Sequence, residues 1–293
     1  MSKRLIVGTL MILSFIAAVP KAHAVDAQPF DFVPAPAGTN LALLYYAYGM
    51  SNEYVDSEGN KVQNSSLQSN IAIARYVRYF DLAGMIADIN ILQPFGGFSD
   101  VKIGGAPLTH DHFALGNTTL VFTIWPINNK ENEIYFGVAN YLNIPTGSYD
   151  RNTSVNLGDN RWSFAIQPGF HARVYDKISV DLVADVTFYG DNNDAVPSGG
   201  RLTQDPSFTA LAWLNYNVTP TTVASIGVSH TYGGEQRLDG MSLGDAYVTK
   251  VRAALSTFVT PTSQILFQVD HDVSVENNFS QDFGAMIRLM KVF

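Results

Sequence analysis

Cysteine is absent from the 293 residues. Disulfide staples, thiolate zinc sites and thiol nucleophiles are therefore excluded. Charge is scarce: Asp, Glu, Lys and Arg make up 15 % of the chain, little for a soluble globule. Basic residues are scarcer still, 18 against 26 acids, for a formal net charge of −8. A phosphate-binding surface needs clustered Lys and Arg, so nucleic acid is not an expected partner. Long apolar runs are also missing beyond the first two dozen residues. None approaches the ~18 residues that a helical membrane span requires. Aromatics, by contrast, are plentiful, with 14 Tyr and 18 Phe.

The first 24 residues read as an address. Lys3 and Arg4 form a basic start, Leu5 to Val19 an apolar run, and Ala22-His23-Ala24 a small-residue cleavage site. This is the pattern of a secretory signal peptide, cut after Ala24. The run is too short for a membrane span and no stop-transfer pattern follows. Cleavage removes three basic residues and no acids, leaving a mature charge of −11. Residues 25–38, with "QPFDFVPAPAG", are Pro-rich and extended. They form a periplasmic amino-terminal segment or enter the next domain from below.

From residue 39 to residue 293 the dominant period is two. In "SVDLVADVTFYG", Val180, Leu182, Ala184, Val186 and Phe188 share a face; Asp181 and Asp185 fall on the other. A helix would scatter those aspartates, whereas a strand collects them. Twelve such segments are expected, at 39–49, 67–80, 85–95, 112–125, 133–144, 160–174, 178–190, 207–218, 222–233, 245–259, 264–275 and 281–293. Their lengths suit tilted strands crossing a bilayer, which need ~9–11 residues. Short turns alternate throughout with longer polar loops at 50–66, 96–111, 145–159, 191–206, 234–244 and 276–280. Outer-membrane barrels have this asymmetry, with short periplasmic turns and long outer loops. The expected fold class is thus all-β: a transmembrane, antiparallel, up-and-down barrel of twelve strands.

The chain ends on "FGAMIRLMKVF". An apolar face of Phe283, Ala285, Ile287, Leu289 and Phe293 opposes Asp282, Arg288 and their neighbours. The last strand pairs with the first and leaves no open edge. Lys291 interrupts the apolar face, where a rim position lets its amine reach the headgroups. Aromatics near strand ends (Tyr45, Tyr46, Tyr79, Phe80, Trp125, Tyr141, Tyr189, Tyr216, Tyr232, Tyr247 and Phe258) are expected to form interfacial girdles. A soluble β-sandwich would alternate too, but without the short–long loop order or the girdles.

The stretches "AGTNLALLYYAYG", "IARYVRYF", "YLNIPTGSYD" and "NRWSFAIQPGFHARV" together resemble the outer-membrane family associated with the meta-cleavage pathway of phenol degradation. The resemblance covers most of the mature chain. It implies a barrel transporter for small aromatic or other hydrophobic compounds, and it carries over no catalytic residue. The terminal Phe293 likewise resembles the carboxyl-terminal signal read by the outer-membrane barrel assembly machinery. Outer-membrane lipid and lipopolysaccharide are the other expected partners.

No enzyme is expected. Barrel lipid hydrolases use Ser and His two residues apart on one strand, and none of His110, His171, His230 and His271 has Ser two residues on. No cofactor and no metal are expected either. His110-Asp111-His112 lacks an evident third ligand, and Asp191 to Asp194 does not match an EF-hand loop.

Alternation places Asp88, Arg161, Arg173, Asp181, Asp185, Trp213, Lys250, Arg252, Asp270, Asp272, Asp282 and Arg288 on the inner wall. That spares each charge the ~2–4 kcal/mol that Arg or Lys costs at the bilayer midplane. Centring the last short turn on Pro261 pairs Arg252 with Asp270 and Lys250 with Asp272. Such pairs either fix register or polarise a pore. An inward Trp213 needs a ligand or a plug to cover it. The sequence therefore suggests a passive outer-membrane channel for small solutes. Its rival is a non-transporting barrel whose loops bind an outside partner.

Overall fold

A computed structural model describes residues 26–293. The expected leader, with Ala22 and Ala24, lies outside the described residues. Twelve long antiparallel strands run β1 (Asn40–Val55), β2 (Ser66–Leu82), β3 (Met85–Ile103), β4 (Thr118–Asn129), β5 (Ile134–Ile144) and β6 (Ser163–Tyr175). They continue as β7 (Ile178–Tyr189), β8 (Ser207–Asn217), β9 (Thr222–Gly233), β10 (Tyr247–Thr260), β11 (Ser263–Glu276) and β12 (Asn278–Val292). Each pairs with its neighbours in sequence, and β12 pairs with β1 from Leu41↔Val292 to Val55↔Asn278. The ladder is closed. At the seam Asn40 and Phe293 exchange both backbone hydrogen bonds, at 2.9 and 3.0 Å.

Closure follows from the solvent. Outward side chains form an exposed apolar wall that includes Leu44, Ile91, Phe122, Leu182, Ile226, Leu255, Phe267 and Ile287. Water would not tolerate it over twelve strands; hydrocarbon does. No helix among the described residues is long and apolar enough to cross a membrane. Lys291 on the outer face turns its amine to Thr262 Oγ1 at 2.7 Å and Ser263 Oγ at 3.2 Å.

Several expected details are corrected. β1, β2 and β3 run past their expected ends at the long-loop side, and β4 and β6 begin later than expected. The connection expected at 276–280 is a single residue, Asn277, at φ 53°. Asp282 does not face inward. Register shifts around Ser51 turn Gln281 toward Asp270 instead. Asp282 is left outside, accepting from Asn52 N at 2.8 Å and Asn52 Nδ2 at 3.0 Å. The girdle is also half wrong. Tyr46, Tyr216, Tyr232 and Phe258 face out, but Tyr45, Tyr79, Trp125 and Tyr141 are buried in the lumen. Where two aromatics are adjacent, as at Tyr45-Tyr46, the pleat can show only one of them to lipid.

Beyond the barrel, the long-loop side carries its own small structure. Leu202–Gln204 pairs with Gln236–Leu238, and the latter with Met241–Gly244. This ribbon leans over the mouth. A second apolar cluster of Tyr54, Leu67, Phe98, Val155 and Phe279 stiffens the overhanging strands.

The seam at Phe293 yields a prediction. Removing Phe293 deletes the last backbone pair and the exposed terminal ring. Outer-membrane levels of heat-modifiable protein should fall several-fold while export to the periplasm continues. Unchanged levels on semi-native gels would show that the terminal pair is dispensable.

Candidate functional site: a plugged lumen

Inward positions along the strands are mostly small or polar, so a tube of twelve strands has room inside. The amino-terminal segment occupies it. Of the two placements that its sequence left open, periplasmic or entering from below, the segment takes the second. The segment enters past the short-turn rim, where Gly38 N donates to Tyr79 O at 2.9 Å, and climbs between the inner walls. Ala27 and Phe32 are 4 % exposed and belong to the central apolar cluster of the barrel. Buried donors on the wall explain why the segment is there. Trp213 Nε1 donates to Ala27 O at 3.0 Å, and Trp125 Nε1 to Phe32 O at 2.9 Å. Arg252 holds Asp26 at 2.5 Å, and Arg288 holds Asp31 at 2.9 Å. Without the segment those groups would face an empty lumen with nothing fixed to bond.

The polar groups expected on the inner wall have diverse partners. Asp181 is fully buried and accepts from His171 Nδ1 at 2.7 Å and Asn215 Nδ2 at 2.6 Å. Its second oxygen also faces Phe30 N at 3.5 Å. Asp185 takes Gln167 Nε2 at 3.4 Å. Asp88 accepts from Asn90, which in turn accepts from Arg75 Nε at 2.8 Å. Lys250 lies between Asp270 at 3.2 Å and Asp272 at 3.5 Å. Backbone register does set Arg252 opposite Asp270, but the guanidinium reaches to Asp26 instead. Arg173 lies away from this group, at the short-turn rim, exposed and paired with Glu133 at 2.6 Å. Arg161 is buried against Gln204 at 2.5 Å and sits 4.7 Å over the Tyr189 ring.

Sequence reasoning missed Arg75 because neither face of β2 is cleanly apolar. It missed Asp26, Phe30, Asp31 and Phe32 because an extended segment with no period gives no inward face to read.

Above the segment and beneath the long loops is a cavity of about 1150 Å³. Its floor includes Asp26, Gln28, Lys250 and Arg252, and its walls include Ile71, Ile73, Leu92, Pro94, Leu157 and Met286. The charges at its floor are mutually paired, so the space favours neutral over ionic guests. Toward the short-turn rim a further apolar cluster packs against the segment. Leu43, Tyr45, Val77, Tyr79, Trp125 and Leu266 pack there with Ala35 and Leu41.

In the outer loops, the Asn152 N–H holds the Asp150 carboxyl below the usual carboxylate range, and the Asn60 N–H does the same for Asp56. Both are local polar turns, that of Asp56 directly after β1 and that of Asp150 within the loop between β5 and β6. The His110 and His112 rings meet edge-on at 4.5 Å. Among the described residues, no group of three or more His, Asp or Glu is placed to hold a metal ion.

Comparison with known proteins fits this geometry. The family model described as "Putative MetA-pathway of phenol degradation" matches residues 51–289. The "COG4313 outer membrane channel from Pseudomonas putida F1" is 32 % identical, covers 92 % of this chain and 100 % of its own, and superposes with a TM-score of 0.87. A deletion mutant of the "TodX … monoaromatic hydrocarbon channel" is 12 % identical over 93 % of this chain and 95 % of its own, with a TM-score of 0.51. The translocator domain of the autotransporter NalP from Neisseria meningitidis is 10 % identical over 89 % and 90 %, with a TM-score of 0.50. The last two share the barrel fold alone. No curated protein sequence matches the chain.

The segment's anchoring can be tested by mutation. Asp31→Ala leaves the Arg288 guanidinium buried with neutral partners alone, Gln264 at 2.9 Å and the Tyr45 hydroxyl. Breaking a buried pair this way costs about 3 kcal/mol, whereas replacing both partners with apolar residues restores most of it. Chemical unfolding should therefore show a large loss for Asp31→Ala and a near-wild-type midpoint for Asp31→Ala with Arg288→Met. Equal losses in both would argue that the pair does not hold the segment.

Proposed function

The protein belongs to the outer-membrane family described by that model, and from this membership we propose a passive channel for small, neutral, aromatic or hydrophobic solutes. The observation that carries the reading is the cavity: apolar-walled, internally neutralised, and floored by a segment that the wall ladder does not include. A solute sheds water between the long loops, rests against the aliphatic wall, and is separated from the periplasm by residues 26–38. Its own gradient supplies the driving force, and no residue need change covalently.

Within this reading the wall residues divide by task. Lys250, Arg252, Asp270 and Asp272 form the polar floor that a solute meets. Asp181, Trp213 and Arg288 hold the segment in place. Asp88 and Asp185 keep buried donors satisfied, and Arg173 marks the periplasmic exit. Residues 1–24 serve as the secretory leader, cut after Ala24. Phe293 presents the last strand to the barrel assembly machinery, and the apolar wall and loops meet lipid and lipopolysaccharide. The apolar packing toward the short-turn rim is what favours the rival reading, a barrel that transports nothing.

Uptake by intact cells separates the two, because lipopolysaccharide is the barrier that such a channel bypasses. At low external concentration, accumulation of a labelled monoaromatic hydrocarbon should fall several-fold in cells lacking the protein and recover on complementation. Equal accumulation with and without the protein would reject the channel.

A further inference from the structure

The segment is held by rings and charges rather than by strand pairing. Phe30 sits at φ 67°, a left-handed conformation that a bulky residue adopts only when its surroundings impose it. Two aromatic contacts do so. The Phe30 ring lies 4.8 Å from that of His171. The Phe32 ring lies on a bare patch of barrel wall made by Gly137 and Gly169, which are direct partners across β5 and β6. A Cβ on Gly169 would stand 2.2 Å from a Phe32 ring carbon. One on Gly137 would stand 3.2 Å from Phe32 and 2.8 Å from Trp125 Nε1. Two facing glycines in mid-strand weaken a ladder, and such positions mark close approach by another group. Here the approaching group is a flat ring, with the Trp125 indole at its edge.

We propose that this glycine-floored patch is a binding site for a neutral, planar, monocyclic aromatic, that Phe32 is its resident occupant, and that a solute ring competes for it. The proposal rests on the reading that aromatic solutes reach the lumen. Its physical basis is equivalence of shape and chemistry. The patch offers bare peptide to one ring face, apolar cluster residues around the rim and no charge, and it accepts a benzene-sized ring because it already holds one. Once Phe32 leaves, the Trp125 N–H loses the Phe32 carbonyl and becomes a donor for a ring hydroxyl. A carboxylate-bearing ring would have to bury its charge in that uncharged setting, which disfavours it.

Bromobenzene reports the site directly through anomalous scattering from crystals soaked at one fixed concentration. Phe32→Ala empties the patch, and bromine should appear between Gly137 and Gly169. Its occupancy there should exceed that in the wild type by roughly tenfold, because the resident ring no longer competes. Adding Gly169→Ala to Phe32→Ala places a methyl where the ring face lay, and the bromine signal at the patch should vanish. Phe32→Val, which keeps part of the packing, should behave like Phe32→Ala. No bromine at the patch in Phe32→Ala or Phe32→Val, or bromine persisting there in the double variant, would overturn the site. Equal occupancy in the wild type and Phe32→Ala would overturn the competition. Crystal occupancy does not depend on flux, so a patch that binds bromobenzene in a protein that proves unnecessary for uptake would sink the channel reading alone.

Discussion

A backbone amide in hydrocarbon has no water to bond, and each unsatisfied group costs several kcal/mol. That constraint organises this molecule. It requires the ladder to close, which is why β12 returns to β1 and Phe293 stands in register with Asn40. It also fixes orientation at every position, since a pleated strand in a closed wall has one face for lipid and one for the lumen. Charges then have a single place to go. Asp88, Asp181, Lys250, Arg252 and Arg288 all lie inside, where they pair with one another, with amides or with the amino-terminal segment.

Closure creates a second problem. Twelve strands enclose more space than their inward side chains fill, and a dry void lined by buried donors would be costly. The lumen is divided in response. The short-turn half is packed with Leu, Val, Tyr and Trp side chains around Ala35. Asp26, Ala27, Phe30, Asp31 and Phe32 fill the middle and bond two indoles and two guanidiniums. The long-loop half stays open as the cavity. The segment that floors the cavity is thus attached by a few side-chain contacts rather than by strand pairing.

Much of the barrel was legible in the sequence, because period-two alternation and unequal loops are direct consequences of crossing a bilayer. The register of β10 and β11 followed from Pro261 alone, with Arg252 opposite Asp270 and Lys250 opposite Asp272. What escaped was anything that depended on long-range company. Arg252 passes over its cross-strand neighbour for Asp26, 226 residues away, and no local pattern could indicate that. Tyr45, Tyr79, Trp125 and Tyr141 were expected in girdles because position along a strand was read without parity. A bulge near Ser51 reversed Gln281 and Asp282, since one extra residue flips every side chain beyond it. Trp213 was the exception: an indole facing a polar lumen implied a cover, and the cover is Ala27.

The central claim is that residues 26–34 are what separates the cavity from the periplasm. Single-channel recording in planar bilayers, comparing the full mature chain with one lacking residues 26–34, tests it most directly. The full chain should stay closed or open only briefly, and the shortened chain should conduct steadily. Equal, steady conductance in both would place the ion path around the segment. No conductance in either would mean that the packed side chains below it seal the barrel on their own.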